Sequence, residues 1–383
     1  MLYATCARID LEALAHNVAQ TRRIIGPDRA LLAAVKANAY GHGAVPISRF
    51  LEEQGLVDWL GVATVPEAMA LRDAGVRLPI LKLSPCFPEE LDAAVAIDLA
   101  LTVTDTITIE AAEAAAARAG VTVHVHLSID TGMRRLGCEP EQAARLARSI
   151  AACHHLDHQG IFTHLPVSDT AEGDGFTRAQ LARFAAAVAQ VQDARSSLSL
   201  PPVPLVHASN SGAVLRHPLD GLTMVRPGSM LYGNPPDADT SVPVELAPVM
   251  SLVSEVVALR IVPAGQTVSY GRTWTAPADT WIATVPVGYA DGFSRLNSNT
   301  GCMLVGGRRR PVAGRVCMDL TMLDLGPVTD ADVPPARVGD EVVWLGAQGD
   351  ARISAVELAR VAQTIHYEVT STINPRVQRI YLP

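Results

Sequence analysis

The residue best suited to react in this chain is a lysine at the end of an apolar run. Lys36 follows the run 30–35 and precedes Ala-Asn-Ala-Tyr-Gly-His-Gly at 37–43, a composition that neither a helix nor a strand favours. A lysine amine attacks carbonyl carbon and forms a Schiff base when a partly dry setting lowers its pKa. The spacing alone fits a nucleophilic lysine and a surface lysine in a turn equally well.

Four other apolar runs also end in short polar segments. These segments are 130–137 with Arg135, 163–165 with His164, 207–212 with Ser211, and 225–229 with Arg226, Gly228 and Ser229. Each one alone is consistent with a helix cap or a tight turn. Five such segments at one face of a fold would instead indicate a common site.

A repeated alternation of strand-like and helical runs would bring the five segments together. The strand-like runs lie near 30–35, 57–63, 79–83, 99–103, 121–129, 157–163, 204–208 and 222–226. Ala-rich helical stretches such as 110–119, 139–153 and 173–195 separate them. Eight units of this kind predict an α/β protein with an N-terminal (β/α)₈ TIM barrel over 10–234. Such barrels carry their chemistry at the C-terminal ends of the strands, and they often bind phosphate after the last two.

The second part of the chain has a different pattern. After the Pro-rich linker 234–237, short Val- and Thr-rich runs are broken by Gly and Pro. This pattern predicts a mostly β C-terminal domain over 235–383 with a late helix at 354–363. The segment 1–9 has strand character, and we expect it to pair with this domain.

Composition excludes several classes of partner and site. The net charge of −8 and the lack of a long basic run argue against nucleic acid and against an anionic membrane surface. Charge interrupts the N-terminal segment before a signal-peptide core can form, so we expect a cytoplasmic protein. The six cysteines lie far apart without a CxxC pair, which favours free thiols. No His pair has a third ligand at a suitable spacing, so we predict no metal site.

The residues around Lys36 resemble a known family. Val35-Lys36-Ala37-Asn38-Ala39-Tyr40-Gly41-His42-Gly43 is similar to the pyridoxal-phosphate attachment motif of bacterial alanine racemases, which are fold type III enzymes. The segments 287–292 and 314–319, Val-Gly-Tyr-Ala-Asp-Gly and Gly-Arg-Val-Cys-Met-Asp, also resemble that family, and the likeness runs from about residue 5 to 380. It implies an isomerase that interconverts L-alanine and D-alanine, a peptidoglycan precursor, with pyridoxal 5'-phosphate as cofactor.

The resemblance also implies a role for each candidate residue. Lys36 would attach the cofactor, and Tyr289 of a second subunit in a homodimer would provide the second base. Lys36 would act on the D-isomer and Tyr289 on the L-isomer, because one base that returns its own proton only reforms the starting enantiomer. The remaining contacts would be Tyr40, Ser211, Gly228 and Ser229 to the phosphate, Arg135 to the phenolic oxygen and the substrate carboxylate, His164 to the ring, Arg226 to the pyridine nitrogen, and the Met318 backbone, again from the second subunit.

Three other functions fit part of this pattern. A broader alanine and serine racemase would use the same residues. Fold type III decarboxylases also use a lysine Schiff base, but an acidic residue takes the place of Arg226. Non-catalytic proteins that carry pyridoxal phosphate consist of the barrel alone, without the segment 240–383 and Tyr289.

Two positions depart from the family pattern. Ser128 stands where many relatives have a lysine that becomes carbamylated and orients the arginine, here Arg135. Another group, such as a bound chloride, would then have to hold Arg135. Pro375 stands where many relatives have a tyrosine at the inner gate, which implies a looser substrate entry.

Ser128 leads to a prediction about dissolved carbon dioxide. Because serine cannot be carbamylated, racemase activity should be the same in buffer stripped of bicarbonate and in buffer containing it. Initial rates in degassed and bicarbonate-supplemented buffer test this. Activity lost on stripping and regained on addition of bicarbonate would contradict the interpretation of Ser128.

Overall fold

The chain folds into two compact units in a computed structural model that describes residues 3–237, 244–329 and 333–383. The barrel unit contains Leu14–Ala39 and Gly43–Ala247. The β unit contains the described residues up to Ala13, Tyr40–His42 and the described residues from Pro248 onward.

The secondary structure alternates in the first part of the chain and is mostly strand in the second. The strands are β1 Cys6–Asp10, β2 Ala30–Ala34, β3 Trp59–Val62, β4 Ile80–Lys82, β5 Leu99–Val103, β6 Val123–Ser128, β7 Leu156–Phe162, β8 Leu205–His207, β9 Met224–Val225, β10 Met250–Glu255, β11 Ala258–Val262, β12 Thr267–Val268, β13 Trp274–Thr275, β14 Thr280–Val285, β15 Cys302–Val305, β16 Arg308–Pro311, β17 Thr321–Pro327, β18 Glu341–Gln348, β19 Ala351–Ile353 and β20 Gln378–Leu382. The helices are α1 Leu11–Ile25, α2 Lys36–Tyr40, α3 Ala44–Glu53, α4 Val65–Asp73, α5 Pro88–Ala96, α6 Thr106–Ala119, α7 Ala143–Ala151, α8 Asp174–Ser196, α9 Ser211–Arg216, α10 Ala355–Val361 and α11 His366–Ser371.

The eight strands β2 to β9 form a closed parallel barrel, which confirms the predicted fold class. The pairing of β2 with β9 closes the ring. The strands are almost continuously apolar, because helices cover their outer side while their own side chains fill the interior. One interior cluster consists of Leu32, Trp59, Leu81, Ala100 and Met224. Burial of each large apolar side chain stabilises the fold by about 1.5–3 kcal/mol.

Helix boundaries in the barrel unit follow capping signals in the sequence. The Thr64 hydroxyl accepts a hydrogen bond from the Glu67 backbone N–H, and the Glu67 carboxylate accepts one from the Thr64 N–H, which starts α4. Asp105 starts α6 in a similar way, and Gly120 ends it in the left-handed conformation at φ 68°. These signals fix where α4 and α6 begin and where α6 ends.

The β unit is built on a seven-stranded sheet, as the second half of the sequence predicts. The order is β16-β15-β18-β10-β1-β20, with β19 added to β18. The first strand, β1, runs antiparallel to β10 and parallel to β20. A three-stranded sheet β11-β14-β17 and the pair β12-β13 complete the unit.

The described residues contain neither a helix suited to span a membrane nor a side-chain cluster suited to hold a metal ion. No helix there has the length and apolar character needed to cross a membrane. The same residues contain no group of three or more His, Cys, Asp or Glu side chains arranged to hold a metal ion. All six cysteines are free thiols.

Candidate active site

Lys36 lies at the C-terminal end of β2 and begins a left-handed turn, α2. Ala37, Asn38, Ala39 and Tyr40 have φ values of 50°, 55°, 54° and 53°. This conformation costs roughly 1–2 kcal/mol per residue when the residue has a Cβ. Four such residues in succession require compensating interactions, and strain of this kind is typical of functional sites.

Two side chains of the barrel unit provide those interactions. Asn38 accepts hydrogen bonds from Gly43 N at its backbone oxygen and from Ala44 N at Oδ1, at 2.9 and 2.8 Å. Glu67 accepts one from Ala37 N at 2.7 Å, while its other oxygen binds the loop that follows β3. Sequence reasoning missed Glu67, because its capping role gave no sign of a second contact.

Lys36 shares the C-terminal end of the barrel with two arginines. Burial lowers the pKa of Lys36, and the charges of Arg135 and Arg226 lower it further, while only Glu67 raises it. Burial and Arg135 also lower the pKa of Arg226 to about 9, so Arg226 stays protonated at neutral pH. Within the described residues no carboxylate forms an ion pair with Arg135 or Arg226. This uncompensated positive charge suits an anionic ligand and favours a neutral, nucleophilic amine on Lys36.

Arg226 is buried and held by uncharged groups. Its Nη2 donates to the Thr163 carbonyl at 2.7 Å, and its Nη1 lies 2.8 Å from His207 Nδ1. The Phe162 ring lies 5.2 Å from the guanidinium carbon. Nε makes no hydrogen bond within the described residues and is available to an acceptor on a ligand.

The bond to Arg226 fixes the protonation of two histidines inside the barrel. A guanidinium can only donate, so His207 Nδ1 accepts, and its proton lies on Nε2. That N–H lies 2.9 Å from His126 Nδ1, which must also accept. Gly160 leaves room for this contact, because a Cβ there would lie 2.1 Å from His126 Nδ1. Burial lowers the pKa of His126 to about 3 and that of His207 as well, so both rings are neutral.

His164 and Arg135 lie on neighbouring loops that follow β7 and β6. Burial, together with nearby cations, lowers the pKa of His164 to about 3, so its ring is neutral. Gln180 on α8 donates to the His164 carbonyl at 3.3 Å and to Thr131 Oγ1 at 3.2 Å, which braces both loops. The side chain of Arg135 is exposed and has no hydrogen bond or ion pair in the described parts of the chain.

The three small residues predicted to bind phosphate come together after β8 and β9. Ser211 Oγ accepts a hydrogen bond from Gly228 N at 2.9 Å. Ser229 is buried and begins a 3₁₀ turn directly after Gly228. Asn210 caps α9 by accepting from Ala213 N, which fixes the position of Ser211.

Tyr40 belongs to the β unit, where a second tyrosine lies beside it. The ring centroids of Tyr40 and Tyr367 are 6.0 Å apart, and burial raises the pKa of Tyr40. Sequence reasoning missed Tyr367, since nothing in the pattern of α11 distinguishes it from an ordinary helix residue. Pro375 lies in the turn between α11 and β20, and its place at the inner gate stays a prediction.

Tyr289 and Met318 lie on two adjoining segments of the β unit. Tyr289 N donates to Cys317 O, and Ala290 N donates to Met318 O, both at 3.0 Å. The side chains of Tyr289 and Met318 are 43% and 53% exposed. The phenol of Tyr289 has no hydrogen-bond partner within the described residues, so it is free to meet another molecule.

Comparison with known proteins identifies the family. The model of the alanine racemase N-terminal domain matches residues 9–236, and the model of the C-terminal domain matches 249–381. The chain belongs to the alanine racemase family. An alanine racemase of Cutibacterium acnes is 46% identical over 98% of this chain and 97% of its own length. An alanine racemase of Symbiobacterium thermophilum is 41% identical, again over 98% of this chain and 97% of its own.

A solved structure of the family extends the comparison to three dimensions. The alanine racemase of Clostridium difficile superposes with a TM-score of 0.90 at 33% identity, over the whole of this chain and 96% of its own. The family match therefore includes the barrel with Lys36 as well as the β unit with Tyr289.

The neutral histidines predict how stability depends on pH. A folded-state pKa of about 3 against 6.5 in the unfolded chain means that the unfolded chain binds more protons between those values. The contribution of His126 to the free energy of unfolding should therefore be fully present above pH 6.5, and it should be lost progressively as the pH falls towards 3. His126→Asn keeps an acceptor near Nδ1 but cannot titrate, so it should flatten the slope by up to about 1.4 kcal/mol per pH unit.

Urea unfolding at several pH values between 7.5 and 4 measures that slope. The control is His124→Asn, because His124 lies on the same strand but is exposed beside Asp157. A slope that is equal in His126→Asn and in the unchanged protein would contradict the assignment of a neutral His126.

Proposed function

We propose that this chain interconverts L-alanine and D-alanine with pyridoxal 5'-phosphate attached to Lys36. Family membership supports the reaction. The observation that carries the site is the cluster of Lys36, Arg135 and Arg226 at the end of the barrel, with Glu67 as the one carboxylate that raises the pKa of Lys36.

The cluster fits the cofactor chemically. Pyridoxal phosphate has an aldehyde, a dianionic phosphate and an acidic phenol, so it needs a neutral amine and several cations or N–H donors. When bound, it supplies a conjugated ring that delocalises the negative charge left by removal of the α-proton. Lys36 is the amine, Arg135 the cation for the phenolic oxygen and the substrate carboxylate, and Tyr40, Ser211, Gly228 and Ser229 the residues that hold the phosphate.

Arg226 would control the protonation state of the pyridine nitrogen of the cofactor. Its free Nε can donate a hydrogen bond to that nitrogen, but at a pKa of about 9 it keeps its own proton at neutral pH. Arg226 would therefore leave the ring nitrogen unprotonated, which would limit carbanion character and side reactions such as transamination. The His207–His126 pair holds the guanidinium in place, and the neutral His164 ring would lie against the cofactor.

Two bases on opposite faces of the substrate complete the proposal. Lys36 removes the α-proton of the D-isomer, and the partner subunit's Tyr289 removes that of the L-isomer. The exposed phenol of Tyr289 and the exposed Met318 segment support a homodimer in which residues 235–383 contribute to the other subunit's site. The cytoplasmic location stays a prediction.

Incubation with L-alanine in heavy water tests the reaction itself. A racemase should place deuterium on the α-carbon while optical rotation disappears. Release of carbon dioxide would indicate a decarboxylase, and no change would indicate a carrier. A parallel panel of small L-amino acids separates an alanine racemase from a broader alanine and serine racemase.

Lys36→Ala should abolish both the visible absorption of the bound cofactor and racemisation. The chain has only one other lysine, Lys82, whose buried amine donates to Pro85 O at 2.7 Å. Borohydride reduction followed by peptide mapping should therefore label Lys36 alone. Lys82→Arg is the matched control and should keep both the label and the spectrum. An unchanged spectrum in Lys36→Ala would refute the assignment.

Mixed dimers test whether two chains share one active site. Lys36→Ala and Tyr289→Phe should each lose most racemisation, since one lacks the lysine and the other the ionisable oxygen. If the chains reassort at random, half of the dimers are mixed and one of their two sites is intact, so about a quarter of full activity should return. Co-expression with differently sized tags measures this. Confirmed mixing without recovery would place both bases on one chain.

A further inference from the structure

Arg376 joins two aspartates of the β unit that lie next to the candidate second base. Its Nε donates to Asp291 Oδ1 at 2.8 Å, and its Nη1 lies 2.9 Å from Asp319 Oδ1. Asp291 follows Tyr289 by two residues, and Asp319 follows Met318 directly. One guanidinium thus binds both segments that carry the groups assigned to the partner's site.

The Asp291 carboxylate is fully buried and shapes the turn that carries Tyr289. Its Oδ2 accepts from Gly288 N at 2.8 Å, which closes the 3₁₀ turn Tyr289–Asp291 on itself. The Tyr3 hydroxyl donates to Pro286 O at 2.9 Å and also lies 3.3 Å from Asp291 Oδ1. Because a buried carboxylate needs compensation, loss of Arg376 would leave this turn with an unpaired charge.

The two segments touch through their backbones as well. A Cβ added at Gly288 would lie 2.1 Å from Met318 O, so the backbones of the two segments are in direct contact there. The hydrogen bonds from Tyr289 N and Ala290 N set the register of this contact. Within the described residues, Arg376 is the one side chain that binds the carboxylates of both segments.

Arg376 is in turn fixed from its own backbone. Arg376 N donates to Asn374 Oδ1 at 3.0 Å, and Asn374 N donates to Asp291 O at 3.3 Å. Hydrogen bonds to the two aspartates raise the pKa of Arg376 above its ordinary value, so its charge is permanent. The ion pair to Asp319 is more exposed, with side chains 38% and 56% accessible.

We propose that Arg376 is a positioning residue that fixes the Tyr289 phenol relative to the Met318 backbone. It acts through Asp291 and Asp319 and does not itself touch the substrate. This inference rests on the proposed function, because it assigns Tyr289 as the base for the L-isomer. Loss of the arginine should let the Tyr289 turn move and slow only the proton transfer made by Tyr289.

Isotope effects in Arg376→Gln test this selectivity. The racemisation rate should fall by about tenfold or more. The primary isotope effect with α-deuterated L-alanine should rise, since proton removal by Tyr289 becomes limiting. The effect with α-deuterated D-alanine should fall, because Lys36 makes that transfer. A loss of folded enzyme alone would lower the rate and leave both isotope effects unchanged.

Hydrogen exchange gives a readout that needs no catalysis. Amides in 286–292 and 316–320 should exchange at least about tenfold faster in Arg376→Gln than in the unchanged protein. Arg376→Lys keeps the charge but not the two-pronged geometry, so it should restore part of the protection. Arg8→Gln is the matched control, because it breaks an exposed ion pair with Glu341 in the same unit.

The possible outcomes separate the inference from the proposed function. If the unchanged protein does not racemise alanine, the proposed function fails. If it does, and Arg376→Gln shows unchanged isotope effects or unchanged exchange at 286–292, the positioning role fails. Should Arg376→Gln not fold, Asp319→Asn breaks only the exposed ion pair with Arg376. It should change the isotope effects and the hydrogen exchange in the same direction as Arg376→Gln, but by less. No shift in that variant would also overturn the role.

Discussion

The candidate site depends on positive charge that the barrel does not neutralise. Burial and the charges of Arg135 and Arg226 lower the pKa of Lys36, and burial and Arg135 lower that of Arg226, while within the described residues no carboxylate pairs with either arginine. Burial and hydrogen bonds hold Arg226 in place, whereas Arg135 is exposed to solvent. The repulsion between these charges favours the nucleophilic role proposed for Lys36 and the binding of an anionic ligand. The proposed affinity for the cofactor and the proposed reactivity of the lysine thus share one electrostatic origin.

The remaining structure of the barrel unit stabilises that unfavourable arrangement. Asn38 and Glu67 stabilise the left-handed turn that follows Lys36. Arg226 donates to His207, and His207 donates to His126 inside the barrel, so this series of hydrogen bonds adds no charge. A charged side chain at position 126 or 207 would change the electrostatic potential at Lys36 and therefore its pKa. The neutral state of both histidines is thus part of the electrostatics of the site.

The sequence predicted the barrel because hydrophobic patterns report which faces are buried. It also predicted that the loops with Lys36, His164 and Arg226 lie at the same end, since parallel strands end together. The partners of these residues were not predictable. The contact between His126 and His207 depends on a register shift at His126 and on the missing Cβ of Gly160. Tyr367 contacts Tyr40 although more than 300 residues separate them in the sequence, and a local sequence pattern cannot predict a contact between residues so far apart.

The arginines of the chain differ in whether a carboxylate neutralises them, and this difference bears on the roles proposed for them. Of the 31 Lys and Arg residues only two are lysines, so almost every cation is an arginine with a permanent charge. Arg376 is neutralised by two aspartates and can only hold segments together. Arg226 has no such partner in the described residues and keeps a free Nε. The pKa of Lys36 is lowered, which suits the proton transfer proposed for it. The ion pairs of Arg376 thus suit a structural role, the lack of such pairs at Arg226 suits the binding of a ligand, and the lowered pKa of Lys36 suits a nucleophile.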